Sequence, residues 1–194
     1  METRTEPRQQ RSRDKYERVL AATATLLEEL PYEAIGTKLI ASRAGVSVGS
    51  LYRFFVDKQA IVDALVRHWL DRLVEVMDEQ LTELPPDPVS LVDRLVDAYT
   101  LFWRAEPGFR KAWSWVRVEP GTGHSNDVEL TDRLHTALTR RYGVPDDPAL
   151  RPRIELSIGV AENLLNLAFK RDPEGDPGVL TELKILLTRY LGLG

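Results

Sequence analysis

The sequence predicts an all-α protein of about nine helices, with a three-helix head near the N-terminus and a longer helical body after it. Three observations carry this expectation. Apolar residues recur every three or four positions along nearly the whole chain, which is the repeat of one helix face. No run of alternating β-branched residues marks a strand. Proline, glycine or a capping Ser or Asp stands where each apolar stripe begins or ends. The 194 residues are 43% hydrophobic, enough for a substantial core, and include no cysteine, so disulfides, thiolate metal sites and cysteine nucleophiles are excluded. No apolar stretch reaches the ~18 residues that span a bilayer and no leader-like segment appears. A soluble cytoplasmic protein without a membrane partner is expected.

Residues 1–12 carry Arg4, Arg8 and Arg11 and almost nothing apolar, which predicts a flexible basic arm. The first helix follows, with a stripe of Tyr16, Val19, Leu20, Thr23, Leu26, Leu27 and Leu30, and Pro31 closes it. Two short helices come next, one from Gly36 or Thr37 to Gly45, the other capped by Ser47 and reaching about Phe55. Asp57 caps a long fourth helix that Pro85-Pro86 stops, and Asp87 caps a fifth from about Pro88 to Arg104. After the Glu106-Pro107-Gly108 break, Phe109–Val116 forms a short sixth, and Glu119–Ser125 reads as a turn-rich loop. Asn126 or Asp127 caps a seventh helix that ends at Tyr142-Gly143. The eighth opens at Asp147-Pro148 and reaches about Arg171, with Pro152 in its first turn or delaying its start. The ninth runs from Pro177 to about Leu191.

The net charge of −4 is unevenly spread. Residues 1–60 hold ten Lys/Arg against eight Asp/Glu, and the remainder sixteen against twenty-two. A head that meets nucleic acid, on an acidic body, fits that asymmetry.

The densest signal is Thr37-Lys-Leu-Ile-Ala-Ser-Arg-Ala-Gly-Val-Ser-Val-Gly-Ser-Leu-Tyr-Arg-Phe-Phe-Val56. Ile40, Ala44, Val46, Leu51 and Phe54 are spaced to meet in one small core. Ala41 allows a close crossing, and Gly45 stands where the turn needs positive φ. Ser47 can accept a hydrogen bond from the helix that it starts. This is the pattern of a helix-turn-helix. Residues 14–74 resemble the N-terminal domain of the tetracycline-repressor (TetR) family, through Ile-Ala-x-x-Ala-Gly-Val-Ser-x-Gly-Ser-Leu-Tyr-x-x-Phe and the following Lys58. Two positions depart from it: Gly36 stands where a hydroxyl residue often caps, and Pro31 replaces a glycine after the first helix.

The resemblance implies a homodimer on a roughly palindromic double-stranded operator, regulated by a small molecule in the body. It divides the chain into a head over residues 13–57 and a ligand-binding and dimerisation domain over 58–194. By position it implies that Thr37, Tyr52 and Lys58 bind phosphate, while Lys38 reaches a phosphate or a base edge. Val48, Gly49, Ser50 and Arg53 would face the groove, and Ser47, the cap, is implied as a DNA-binding position with them. Helix N-termini attract phosphate, and base-edge contacts select sequence. Repression is expected over activation, since occupancy alone blocks a promoter.

Tyr99, Phe102, Trp103, Phe109, Trp113 and Trp115 crowd one stretch. They either line an apolar ligand pocket or fill the core. Glu155, Glu162, Asn166 and Lys170 form a polar stripe on the eighth helix, which is either solvated or supplies a pocket's hydrogen bonds through Glu162 and Asn166. The same helix has two apolar faces, one with Ile154, Ile158, Ala161, Leu165 and Ala168 and another with Leu156, Val160, Leu164 and Leu167. It is either the centre of a bundle or buried against a second subunit. For the latter, Leu156, Gly159, Val160, Leu164, Leu167, Leu183 and Leu187 on the last two helices are the expected interface.

An enzyme is not expected. His68, His124 and His135 have no metal-ligand spacing, and there is no Gly-x-Ser-x-Gly turn or phosphate loop. No cofactor or metal is expected. The alternative reading is a helical ligand-binding or adaptor protein that has lost specific DNA binding, consistent with the near-neutral head.

Overall fold

The computed structural model describes residues 6–116 and 124–193, and the side chains among them except those of 6–9, 113–116 and 124–127. All described regular structure is helical. The helices are α1 (Glu6–Glu29), α2 (Thr37–Ala44), α3 (Val48–Leu51), α4 (Lys58–Thr82), α5 (Pro88–Ala105), α6 (Pro107–Val116), α7 (His124–Thr136), α8 (Leu150–Arg171) and α9 (Pro177–Tyr190). A 3-10 turn, Tyr32–Ala34, precedes α2, and a π-helical turn, Ala137–Arg141, follows α7. No helix among the described residues is long and apolar enough to cross a membrane.

Two compact units emerge, residues 1–69 with 107–119, and residues 70–106 with 120–194. The expected boundary at 57/58 therefore moves. The first half of α4 and all of α6 belong with the head, because Ile61, Val62, Leu65 and Trp69 turn from solvent into its core. The expected flexible arm also shortens: α1 is already helical at Glu6. The straight-chain Glu6, Arg8, Gln9, Gln10 and Arg11 favour helix, and Pro7 is tolerated in a first turn. Residues 1–5 of the expected arm and 119–123 of the expected loop lie outside the described residues. His124 already begins α7, ahead of the expected caps Asn126 and Asp127.

In the first unit, α1 packs against α2 and α6. Gly108 makes the second approach possible. A Cβ there would lie 3.0 Å from the Ala24 carbonyl oxygen and 3.2 Å from the Trp69 ring. Phe109 meets Trp69 edge-on, with ring centroids 5.6 Å apart. In the second unit, α8 packs against α7 and α9, and α5 packs against α9. Caps set these helices: Asp57 accepts from Ala60 N at 2.8 Å, Asp87 from Ser90 N at 2.8 Å and Asp176 from Val179 N at 3.0 Å. Pro152 lies in the first turn of α8, which begins at Leu150. The π turn replaces the expected straight end of α7, and both Ala137 and Leu138 point inward there.

Candidate nucleic-acid interface

The α2–α3 turn forms as its residue types require. Gly45 caps α2 with φ 63° and ψ 37°, in the left-handed region, and its N–H reaches the Ala41 and Ser42 carbonyls. Val46 N then bonds the Ala41 carbonyl at 3.0 Å, satisfying carbonyls that the helix end leaves open. Ser47 Oγ accepts from Ser50 N at 3.1 Å. Regular α-helix in α3 ends at Leu51, short of the expected Phe55. The chain then tightens, with Arg53 N bonding the Ser50 carbonyl and Phe54 N the Leu51 carbonyl. Beneath this turn lie Ile40, Ala41, Ala44, Leu51 and Phe55, all buried. Val46 and Phe54 are only half-buried, and Phe55 rather than Phe54 takes the deeper place, stacked on Tyr16 at 5.1 Å.

The face opposite that core presents most of the expected contact residues. Lys38, Ser47, Gly49, Tyr52 and Arg53 are exposed, Tyr52 at 51%. Thr37, Val48 and Ser50 are half-buried at its edge. Thr37 Oγ1 and Tyr52 Oη, from the first turn of α2 and the end of α3, are 3.1 Å apart. Two hydroxyls from different elements thus converge on one spot. Among the described residues, Lys38 and Arg53 form no ion pair, whereas Arg43 pairs with Glu29 at 2.8 Å. That bond from Arg43 lowers the Glu29 carboxyl below its ordinary range and ties α1 to α2.

Lys58 differs from the expectation of a side chain reaching out to phosphate. It is half-buried, donates to the Tyr32 carbonyl at 2.8 Å, and lies 3.7 Å from the centroid of the Tyr32 ring. The carbonyl and the ring face satisfy the ammonium that a helix N-terminus disfavours. Tyr32 in turn donates to Gln59 Oε1 at 2.8 Å. Burial, then the Asp63 and Asp57 carboxylates, raise its phenol pKa. Lys58 thus fastens the 3-10 turn to the start of α4.

In the second unit an apolar cavity of about 90 Å³ opens between α5, α7, α8 and α9. Leu91, Val96, Leu134, Leu138 and Leu165 are among its walls. The expected pocket residues are mostly elsewhere. Tyr99 lines the cavity. Trp103 is fully buried and stacks on Phe169 at 5.6 Å, and Phe102 is core beneath the Arg72 guanidinium. Phe109 belongs to the first unit. Glu162 is buried and Asn166 half-buried, but neither lines the cavity. The side chains of Trp113 and Trp115 lie outside the described residues. Large aromatics filled the core because their area is most stabilising when fully enclosed. The cavity wall fell to smaller aliphatics, and to Ser157, which the sequence reading missed. Its signal was a lone hydroxyl on the apolar stripe Ile154, Ile158, Ala161 and Leu165.

The expected partner-facing residues also divide. On α8, Leu156 and Leu167 are exposed at 58% and 38%, with Gly159, Val160 and Leu164 half-buried. Leu183 and Leu187 of α9 instead point into their own unit, at 0% and 7% exposure. Both α9 faces are apolar, and α5 and α8 cover the one that carries Val179, Leu183 and Leu187. Ile185, Leu186 and Tyr190 are left outward.

An all-helical chain with a helix-turn-helix head and a separate helical body defines a class of DNA-binding regulator. Residues 19–65 match the family model for bacterial regulatory proteins of the tetR family, and residues 86–193 that for the tetracyclin repressor-like C-terminal domain. The chain belongs to the TetR family of bacterial transcription regulators. It is similar to the crystal structure of a TetR-family regulator from Streptomyces coelicolor, with 34% identity and a TM-score of 0.74 over 93% of this chain and 97% of that one. It is 40% identical over 138 residues to the transcriptional repressor KstR of Rhodococcus jostii, covering 70% of this chain and 63% of that protein. An uncharacterised helix-turn-helix regulator of Mycobacterium bovis is 34% identical over 83 residues, so that the chain matches only 43% of that relative's length.

Proposed function

We propose that this regulator is a cytoplasmic, non-catalytic homodimeric repressor. Its two heads grip a palindromic operator, and a small molecule bound in the body releases them. The observation that carries the reading is the outward face of α2 and α3. Thr37 and Tyr52 hydroxyls converge there at 3.1 Å, suited to clasp one phosphate, with the exposed side chains of Lys38 and Arg53 beside them. Phosphate contacts set register, while Arg53, Ser50 and the Val48 methyls read base edges. A second copy would cover the outward Leu156, Leu167, Leu186 and Tyr190 and the half-buried Val160 of α8 and α9, so that two-fold symmetry matches operator palindromy. Lys58 acts in this scheme by holding the head together.

Selection of bound genomic fragments at two salt concentrations tests the proposal. One palindromic site is expected, with affinity falling steeply as salt rises. Tyr52→Phe should weaken all sequences alike. Arg53→Ala should relax preference at a few base pairs, by about 5- to 150-fold. Val160→Asp should give monomers in sedimentation that release the operator. Failure to select any site at low salt would leave the adaptor reading in its place.

A further inference from the structure

The wall of the body cavity specifies the chemistry of what enters it. Among the described residues, no Lys, Arg, His, Asp or Glu lines the cavity; their lining is aliphatic apart from Met77, Tyr99 and Ser157. Ser157 is only 6% exposed, and its Oγ makes no hydrogen bond. A serine inside a helix ordinarily turns its hydroxyl back to a carbonyl one turn earlier or out to water. Ser157 does neither, and as a lining residue it stands against the cavity. A buried hydroxyl without a partner is destabilising, and a partner arriving in the cavity would relieve that. Water is a poor candidate, since it needs two to four polar partners and this wall is almost wholly hydrocarbon.

We infer that the cavity binds an uncharged, largely hydrocarbon small molecule carrying one oxygen that hydrogen-bonds Ser157 Oγ. The class is a short-chain alcohol or ketone, or a ligand that presents such an end. Two properties of the wall set it. A carboxylate or ammonium would be stripped of water with no counter-charge beside it, at a cost of at least about a hundredfold in affinity. The volume of about 90 Å³ is below the roughly 150 Å³ of an engineered cavity that takes benzene, so the enclosed part is small. The Ser157 hydroxyl both donates and accepts, and so takes a hydroxyl or a carbonyl equally. It separates either from a plain alkane.

The inference rests on the reading of the body as the effector domain, and the experiment separates the two. Full-length protein is titrated by calorimetry with n-pentanol, pentanoate and n-pentylamine, and operator release is followed in parallel. Pentanol should bind and the two charged probes should not. Ser157→Ala, which removes one atom and keeps a good helix former, should weaken pentanol by about five- to tenfold and leave the melting temperature equal or higher. Ala161→Leu, which fills the cavity from the same helix, should abolish binding. Pentanoate binding as tightly as pentanol, no pentanol binding at all, or an affinity unchanged in both variants would overturn the inference. A charged compound that frees the operator would also overturn it while sparing effector control. Pentanol bound at Ser157 without operator release would remove effector control and keep the ligand class.

Discussion

Gly45 is where backbone conformation alone is expected to decide the stability of the head, and the structure allows the cost to be worked out. At φ 63° and ψ 37°, any residue with a Cβ incurs about 1–2 kcal/mol in the left-handed region. A Cβ built there has no crowding to add, since its nearest contact is Arg18 Nη1 at 3.7 Å. Replacing glycine also removes freedom from the unfolded chain, which offsets about 0.4–1 kcal/mol. Gly45→Ala should therefore destabilise by about 1 kcal/mol, or roughly 2–4 °C for a chain of this size. Gly45→Asn should lose less, because asparagine tolerates this region, and Gly45→Val more, because a β-branched residue tolerates it least. Urea unfolding followed by circular dichroism measures the series. Operator affinity should stay near wild type in each variant at temperatures where it remains folded. Alanine as stable as glycine, or asparagine worse than alanine, would refute the conformational argument. A loss above about 3 kcal/mol for alanine would mean that crowding dominates.

Two further outcomes follow from contacts in the first unit. Gly108→Ala places a Cβ 3.0 Å from the Ala24 carbonyl oxygen and 3.2 Å from Trp69; because a backbone atom cannot swing aside, urea unfolding should register a loss of about 1–3 kcal/mol, and a neutral result would mean that α1 and α6 are not closely spaced. Glu29, held by the Arg43 hydrogen bond below its ordinary 4.5, contributes stability that is complete above that value and fades as pH falls through the lowered one. Glu29→Gln should flatten the acid side of the pH–stability curve in that window, and a curve identical to wild type would show that the pair does not link α1 to α2.

The head was legible because its constraints are local. Gly45, Ser47 and the spacing of Ile40, Ala44 and Leu51 each specify one backbone geometry within a few residues, and the structure has it. Two head features were not legible. Lys58 looked like an outward cation because its partner, the Tyr32 carbonyl, is a backbone group 26 positions away that no side-chain pattern announces. Residues 6–12 looked like an arm because nothing there is apolar, yet helix propensity together with continuity into an apolar stripe is enough to extend α1.

The body resisted reading for a different physical reason. Its helices carry more apolar surface than one face can hold, so periodicity identifies α8 and α9 without saying which stripe turns inward. The inward choice on α9 fell to Leu183 and Leu187, and that left Leu186 and Tyr190 exposed; the two sets differ in position and hardly in chemistry. Aromatic density misled in the same way. Trp103 and Phe109 bury most area when fully enclosed, so they filled the cores and left a cavity wall of leucine and valine. In such a chain the informative residue is the polar one that breaks an apolar stripe, because its hydroxyl must find a partner. Ser157 is that residue on α8: its hydroxyl has no hydrogen-bond partner and lines the cavity, where the proposed ligand would supply one.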